Sequence, residues 1–131
     1  MTFNSPPVPL KTSAAGAYTF LSNLDNMEKL MPEQVINWNS DHDSCSFDIK
    51  GMAHIDLVIG QLIENRKVTV DSGPENPINT QITFSLEDKG TSQSECTVTL
   101  HAELSMMLEL LASTPLQNLV NIMAGKLREV F

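Results

Sequence analysis

The feature that most constrains the fold is a series of segments between residues 35 and 104 in which apolar and polar side chains alternate. Alternation with a period of two is typical of half-buried strands. Short turn-forming sequences separate the segments, among them Asp41-His42-Asp43, Lys50-Gly51 and Asp88-Lys89-Gly90. Parallel neighbours would need long crossovers, so we predict an antiparallel meander with one apolar face and one polar face.

Two irregularities interrupt this pattern. The apolar positions shift after Gly60 to Leu62 and Ile63, which predicts a β-bulge at the glycine. Residues 2–10 contain three prolines, which cannot donate to a strand ladder. We therefore expect this first segment to be an edge strand or an extended arm.

Helical patterns flank the strands. Apolar residues at helical spacing predict a first helix over residues 14–24 after a Thr12-Ser13 cap, and a second short helix over 27–31. From Ser105 to Phe131 a single apolar stripe predicts one long helix. Pro115 should kink this helix or split off its first turn, with Thr114 as the cap of the restarted helix.

Composition limits the classes of protein to which the chain can belong. The chain has 131 residues, of which 41% are hydrophobic and 18% are charged. We therefore expect residues 1–131 to form a single globular domain. The net charge of −8 disfavours nucleic acid and anionic membranes as partners. No apolar run approaches the ~20 residues of a membrane span, and no secretion signal is visible, so we expect a cytoplasmic protein. Cys45 and Cys96 are expected to be half-buried, reduced and unreactive.

Two stretches resemble a known superfamily. Between Thr12 and Pro32, the run Ala17-Tyr18-Thr19-Phe20-Leu21-Ser22 precedes Leu24-Asp25-Asn26, and the tail from Pro115 onward is similar to a gripping helix. The chain resembles the START/Bet v 1-like (SRPBCC) superfamily, in particular small bacterial polyketide cyclase/dehydrase-like proteins. The resemblance implies an α+β helix-grip fold. It would have a curved antiparallel sheet of about six or seven strands, two short N-terminal helices and one long C-terminal helix.

The resemblance also implies a cavity between the sheet and the last helix. Members of the superfamily hold lipids, sterols, hormones or polyketides there. Some members are cyclases or hydrolases, others are carriers or regulators, so the fold alone does not select a function.

The histidines are the first candidates for chemistry. His54 with Asp56, and His101 with Glu103, are spaced so that each pair shares one face of a strand and could form an acid–base couple or half of a metal site. Both pairs alternate with the apolar residues, so we expect them to face solvent. His42 lies in a turn and is also expected to be exposed. We therefore predict no catalytic residue, no metal and no cofactor.

The predicted ligand-binding residues are the apolar side chains of the inner face. They are Trp38, Phe47, Ile49, Leu57, Ile59, Phe84, Val98, Leu100, Leu111, Leu119 and Met123. Two readings of this face stay open, a solid core and a cavity made adaptable by methionine.

Three functions follow from these readings. The first is binding or carriage of a small hydrophobic molecule without chemistry. The second is a polyketide cyclase or aromatase type of enzyme, which would need an inward polar group. The third is an interaction module with a filled core, acting on a protein partner or as a homodimer.

Overall fold

The computed structural model describes residues 1–51, 53–73, 76, 79–103 and 105–131, and within these ranges the side chains of residues 53 and 106–112 lie outside the description. The strands are β1 (Thr2–Asn4), β2 (Val8–Leu10), β3 (Val35–Ser40), β4 (Ser44–Ile49), β5 (Ala53–Ile63), β6 (Lys67–Ser72), β7 (Thr80–Gly90) and β8 (Gln93–Ala102). The helices are α1 (Ala14–Leu21), a 3₁₀ helix (Leu24–Leu30) and α2 (Met106–Val130).

The described strands form one antiparallel sheet. Strands β3 to β8 are neighbours in chain order, and β1 and β2 both pair with the outer edge of β8. The meander and the edge position of the first segment are therefore confirmed. The sheet has eight strands instead of the six or seven expected. The N-terminal segment is divided in two around Pro6 and Pro7, which have no N–H for the ladder.

The predicted bulge in β5 is also confirmed. The register with β6 shifts between Ile59 and Leu62. A Cβ at Gly60 would collide with the side chains of Asp71 and Thr69. The glycine thus lets the neighbouring strand's polar side chains lie close to the β5 backbone.

The hairpin turn between β7 and β8 was placed wrongly by the sequence pattern. Asp88-Lys89-Gly90 belongs to β7, and the turn is formed by Thr91-Ser92. Asp88 pairs with Ser94 across the ladder, and its carboxylate accepts a 2.9 Å hydrogen bond from the backbone N–H of Ala14. Aspartate is more common in turns than in strands. Here the start of α1 supplies a hydrogen-bond donor to the aspartate in β7.

Capping side chains set the starts of the first two helices. Ser13 accepts a 3.1 Å hydrogen bond from the N–H of Gly16, as expected of an N-cap. The 3₁₀ helix begins at Leu24, earlier than predicted, because the Asn23 side chain accepts a 3.0 Å hydrogen bond from the N–H of Asp25. The Asp25-Asn26 pair, which separates the two predicted helices, therefore lies within the 3₁₀ helix.

The long helix α2 is continuous. Pro115 lies inside it, so the predicted break and the restart capped by Thr114 are wrong. A proline in a helix removes one hydrogen bond and crowds the preceding turn. Tertiary packing overrides this preference, because Val120, Met123 and Leu127 are fully buried against β1, β2, β8 and the 3₁₀ helix. Among the described residues, none of the helices combines the length and apolar character needed to cross a membrane.

Candidate ligand-binding site

The concave face of the sheet is sealed on one side and partly open on the other. On β7 and β8, Phe84 and Val98 are completely buried. On β4 and β5, Ile49, Ile55 and Ile59 keep part of their surface exposed, although they share the same face. The packing is therefore less complete over β4 and β5 than over β7 and β8.

The described part of α2 shows a parallel gradient along its length. Val120, Met123 and Leu127 are fully buried, whereas Leu116 and Leu119 are partly exposed. The helix starts where β8 ends, which is also the end of the sheet at which β4 ends and β5 begins. The loosely packed part of α2 is thus the part nearer to the open side of the concave face.

An aromatic pair lies in this open region. The rings of Trp38 and Phe47 are stacked, with centroids 5.3 Å apart and planes 9° from parallel. The indole N–H of Trp38 donates a 3.0 Å hydrogen bond to the hydroxyl of Ser40, which donates a 2.6 Å hydrogen bond to the carboxylate of Asp25. The stack and this chain of hydrogen bonds fix the orientation of an indole that stays partly exposed.

The concave face is almost free of charged side chains. Along the described strands, the positions on the same face as Phe84 and Val98 include a single carboxylate, Asp88, and no lysine, arginine or histidine. Asp88 is at the sealed end and accepts from Ala14 at the start of α1. The polar groups nearest to Trp38 are the hydroxyl of Ser40 and the carboxylate of Asp25, to which that hydroxyl donates.

Comparison with known proteins places this geometry in a fold family. No family model matches the sequence, and no curated protein matches it significantly. A START superfamily protein from Mycobacterium smegmatis superposes with a TM-score of 0.68 at 14% identity, over 99% of each chain. The chain has a START-type helix-grip fold.

Two further solved structures superpose on this chain. Norcoclaurine synthase from Thalictrum flavum, in complex with dopamine and hydroxybenzaldehyde, gives a TM-score of 0.71 at 10% identity, covering 99% of this chain and 85% of that one. An uncharacterised protein from Bacillus thuringiensis gives 0.75 at 8% identity, covering 100% and 98%. At such identities the likeness establishes the START fold and no shared activity.

Within the START fold, the predicted strand residues all face the concave side. Those that are buried are Phe47, Leu57, Phe84, Val98 and Leu100, together with Met123 of α2. Those that are partly exposed are Trp38, Ile49, Ile59 and Leu119. The side chain of Leu111 lies outside the described residues. That these side chains bind a ligand remains a prediction.

Sequence reasoning missed two components of the site. Ile55 pairs with Phe47 across β4 and β5 and is partly exposed on the concave face. Its alternation with Leu57 and Ile59 was visible in the sequence and could have identified it. The hydrogen bond from Ser40 to Asp25 joins a strand to a helix, and no local pattern in the sequence signals it.

The predicted outward position of the histidines is confirmed. His54 lies on the convex face with 59% of its side chain exposed. Its Nδ1 is 2.7 Å from Asp48, and its Nε2 is 3.2 Å from Asp56. The hydrogen bond with Asp48, supported by the charges of both aspartates, raises the pKa of His54. His101 is also exposed, and its Nδ1 is 3.0 Å from the hydroxyl oxygen of Thr2.

The two cysteines behave as buried apolar residues. Cys45 and Cys96 are free thiols on the concave face. Burial raises the pKa of each to about 12. Because the thiolate is the nucleophilic form, neither residue is suited to nucleophilic chemistry near neutral pH.

Proposed function

We propose that the chain binds or carries a small hydrophobic molecule on the concave face of its START fold. The observation that supports this most directly is the burial gradient. Apolar side chains are fully buried over β7 and β8 but partly exposed over β4 and β5, in a region of the molecule that faces inward. A ligand that covered Trp38, Ile49 and Ile55 would remove this apolar surface from water.

The chemistry of the surface indicates the class of ligand. Burial of apolar area contributes roughly 25 cal/mol per Å², and along the described strands this face has no lysine, arginine or histidine that would pair with an anionic ligand. The hydroxyl of Ser40 already donates its proton to Asp25, so toward a ligand it can only accept a hydrogen bond. We therefore expect a neutral, mainly apolar molecule with at most a few polar atoms.

A cyclase or aromatase type of reaction is the weaker alternative. It would need an acid, base or charge stabiliser directed at the substrate. Among the described residues, the histidines face outward and the concave thiols have a raised pKa. Binding without chemistry is the function that these side chains support better.

The test uses phenylnaphthylamine, a neutral apolar fluorophore. Since Trp38 is the only tryptophan in the sequence, energy transfer from it reports binding near the aromatic pair. We expect saturable fluorescence enhancement together with quenching of Trp38.

A matched pair of variants on one strand locates the site. Ile55→Glu places a charge on the concave face, and Val58→Glu places the same charge on the convex face, where Val58 is already 42% exposed. We expect Ile55→Glu to weaken probe binding at least about tenfold, equivalent to ~1.4 kcal/mol, and Val58→Glu to leave it unchanged. Ile55→Phe, which fills space without adding charge, should also weaken binding.

The proposal fails if the folded wild-type protein shows no saturable binding, or if Ile55→Glu and Ile55→Phe both bind the probe as wild type does. Circular dichroism verifies the fold of each variant. Recovery of one stoichiometric protein partner without any probe binding would favour the interaction-module hypothesis.

A further inference from the structure

A cleft lies at the end of the sheet opposite to the start of α2. Its volume is about 800 Å³, which is within the usual range of small-molecule sites. It is bordered by β2, the β7–β8 hairpin and the end of α2. Its lining residues are Pro9, Leu10, Lys11, Lys89, Gln93, Ser94, Glu95, Gly125, Arg128, Glu129 and Phe131.

The charge of this cleft is opposite in sign to that of the chain. The lining contains three of the eight Lys and Arg residues but only two of the sixteen Asp and Glu residues. Lys89 is 3.2 Å from Glu87, outside the lining. Within the described part of the chain, no carboxylate lies within 4.0 Å of the Lys11 or Arg128 head groups. These two cations are available to a ligand.

Gly125 keeps the cleft open on the side of the helix. It lies in the interior of α2, where glycine is less favourable than alanine. A Cβ at this position would meet no atom within 4 Å, so packing does not require a glycine. The missing side chain leaves space in the wall of the cleft.

Ser94 supplies a further sign of an unfilled polar site. The residue is 2% exposed and lines the cleft, yet its hydroxyl has no hydrogen-bond partner among the described residues. A buried polar group without a partner is destabilising and is uncommon in folded proteins. A polar atom that entered the cleft could satisfy this hydroxyl after a rotation of the side chain.

We propose that this cleft binds a small organic anion with one negative group on an apolar body. Lys11 and Arg128 bind the anionic group, while Phe131, which is partly exposed, contacts the apolar part. Glu95 and Glu129 offset part of the positive charge of the lining, so the cleft suits a single anionic group better than a highly charged ligand. This site is separate from the open region over β4 and β5 and does not depend on the function proposed there.

Anilinonaphthalene sulfonate is the probe, because it carries a sulfonate on the same ring system as neutral phenylnaphthylamine. Binding is measured by fluorescence with phenylnaphthylamine present at saturation, which occupies the concave face. We expect the double variant Lys11→Gln/Arg128→Gln to weaken binding of the sulfonate probe at least about fivefold, since it removes two charges from the lining. Binding of the neutral probe should be unchanged.

Two further comparisons make the test specific. Glu129→Gln removes a carboxylate from the lining, so it should tighten binding of the sulfonate probe and thereby act in the opposite direction. Gly125→Phe should fill the cleft and block binding, while Gly125→Ala, the matched control, should retain it. In two-dimensional amide NMR spectra, the sulfonate probe should shift the signals of Ser94 and Gly125.

The proposal is overturned if the charge variants and Gly125→Phe, each folded by circular dichroism, bind the sulfonate probe as tightly as wild type does. It is equally overturned if the probe shifts only the amides of Ile49 and Ile55. Either result would leave the proposed function of the concave face intact, because that function rests on the neutral probe.

Discussion

The ammonium group of Lys126 donates a 2.6 Å hydrogen bond to the main-chain carbonyl of Met31. This contact joins α2 to the residue that follows the 3₁₀ helix, beside the fully buried Met123 and Leu127. A cationic donor thus satisfies a partly buried carbonyl at the end of a helix. A hydrogen bond as well as apolar packing therefore holds α2 against the 3₁₀ helix.

Replacing Lys126 should lower the stability of the protein. Lys126→Met retains most of the aliphatic side chain but leaves the carbonyl of Met31 without its donor, which should lower the free energy of unfolding by about 1 to 3 kcal/mol. Urea unfolding measures the change. The control is Lys50→Met, at an exposed turn, and it should cost less than about 0.5 kcal/mol. Equal stability of the two variants would contradict this role.

The hydrogen bonds around Trp38 give a second prediction. Ser40→Ala removes both the acceptor for the indole N–H and the donor to Asp25, so it should destabilise the protein by about 1 kcal/mol. The emission of Trp38 should shift as the environment of its indole changes. Ser46→Ala, on the opposite face of the adjacent strand β4, should leave the emission unchanged, and a similar shift in both variants would rule out the specific contact.

The convex histidine makes stability depend on pH. Since the pKa of His54 in the folded protein is raised above its ordinary value of 6.5, its contribution to stability is fully present below that value and is lost as pH rises through the folded-state pKa. The stability difference between wild type and His54→Gln should therefore shrink as pH increases from 6 to 9.

NMR titration of the imidazole provides the direct measurement. In Asp48→Asn, which removes the carboxylate 2.7 Å from Nδ1, the pKa of His54 should fall toward its ordinary value. A titration identical to that of wild type would show that Asp48 does not cause the shift.

The proline inside α2 should be dispensable for folding. Pro115→Ala should stabilise the protein by up to about 3 kcal/mol, because it restores an N–H donor to the helix and removes a steric conflict. Thermal unfolding measures the gain. Asn118→Ala, exposed on the same helix, should give only the smaller gain expected from propensity, less than about 1 kcal/mol. Loss of stability in Pro115→Ala would mean that the helix needs the proline.

The thiols should be protected from modification in the folded protein. Cys45 and Cys96 are buried, and each has a pKa of about 12. Reaction with a thiol-specific disulfide reagent should therefore be slow near neutral pH and should become complete for both thiols in denaturant. Rapid reaction of one thiol under native conditions would show that the concave face opens at that residue.

Much of the fold follows from two periodicities. Cys45, Phe47 and Ile49 repeat every second residue, and this places them together on one face of β4 wherever the strand lies. The stripe through Val120, Met123 and Leu127 similarly determines which side of α2 is buried. Such patterns depend on residues close in sequence, so they can be read without the tertiary structure.

The errors arise where distant parts of the chain meet. Asp88 continues a strand because the start of α1 supplies a hydrogen-bond donor, and Pro115 stays helical because the rest of α2 is firmly packed. The pattern around each residue describes its local preference, which tertiary contacts override. For the same reason the inner face could be predicted from alternation, but its division into sealed and open parts could not.

The pairing of β1 with β8 sets the order in which the molecule can assemble during translation. Phe3 lies opposite Leu100, and the main-chain carbonyl of Met1 accepts from the N–H of Ala102. During translation, β1 emerges from the ribosome long before β8 has been synthesised. It therefore lacks its native pairing strand through most of elongation. One edge of the sheet, and the surface on which α2 packs, can form only after nearly all of these residues have emerged. The first strand of this sheet in chain order is thus among the last to pair with its neighbour.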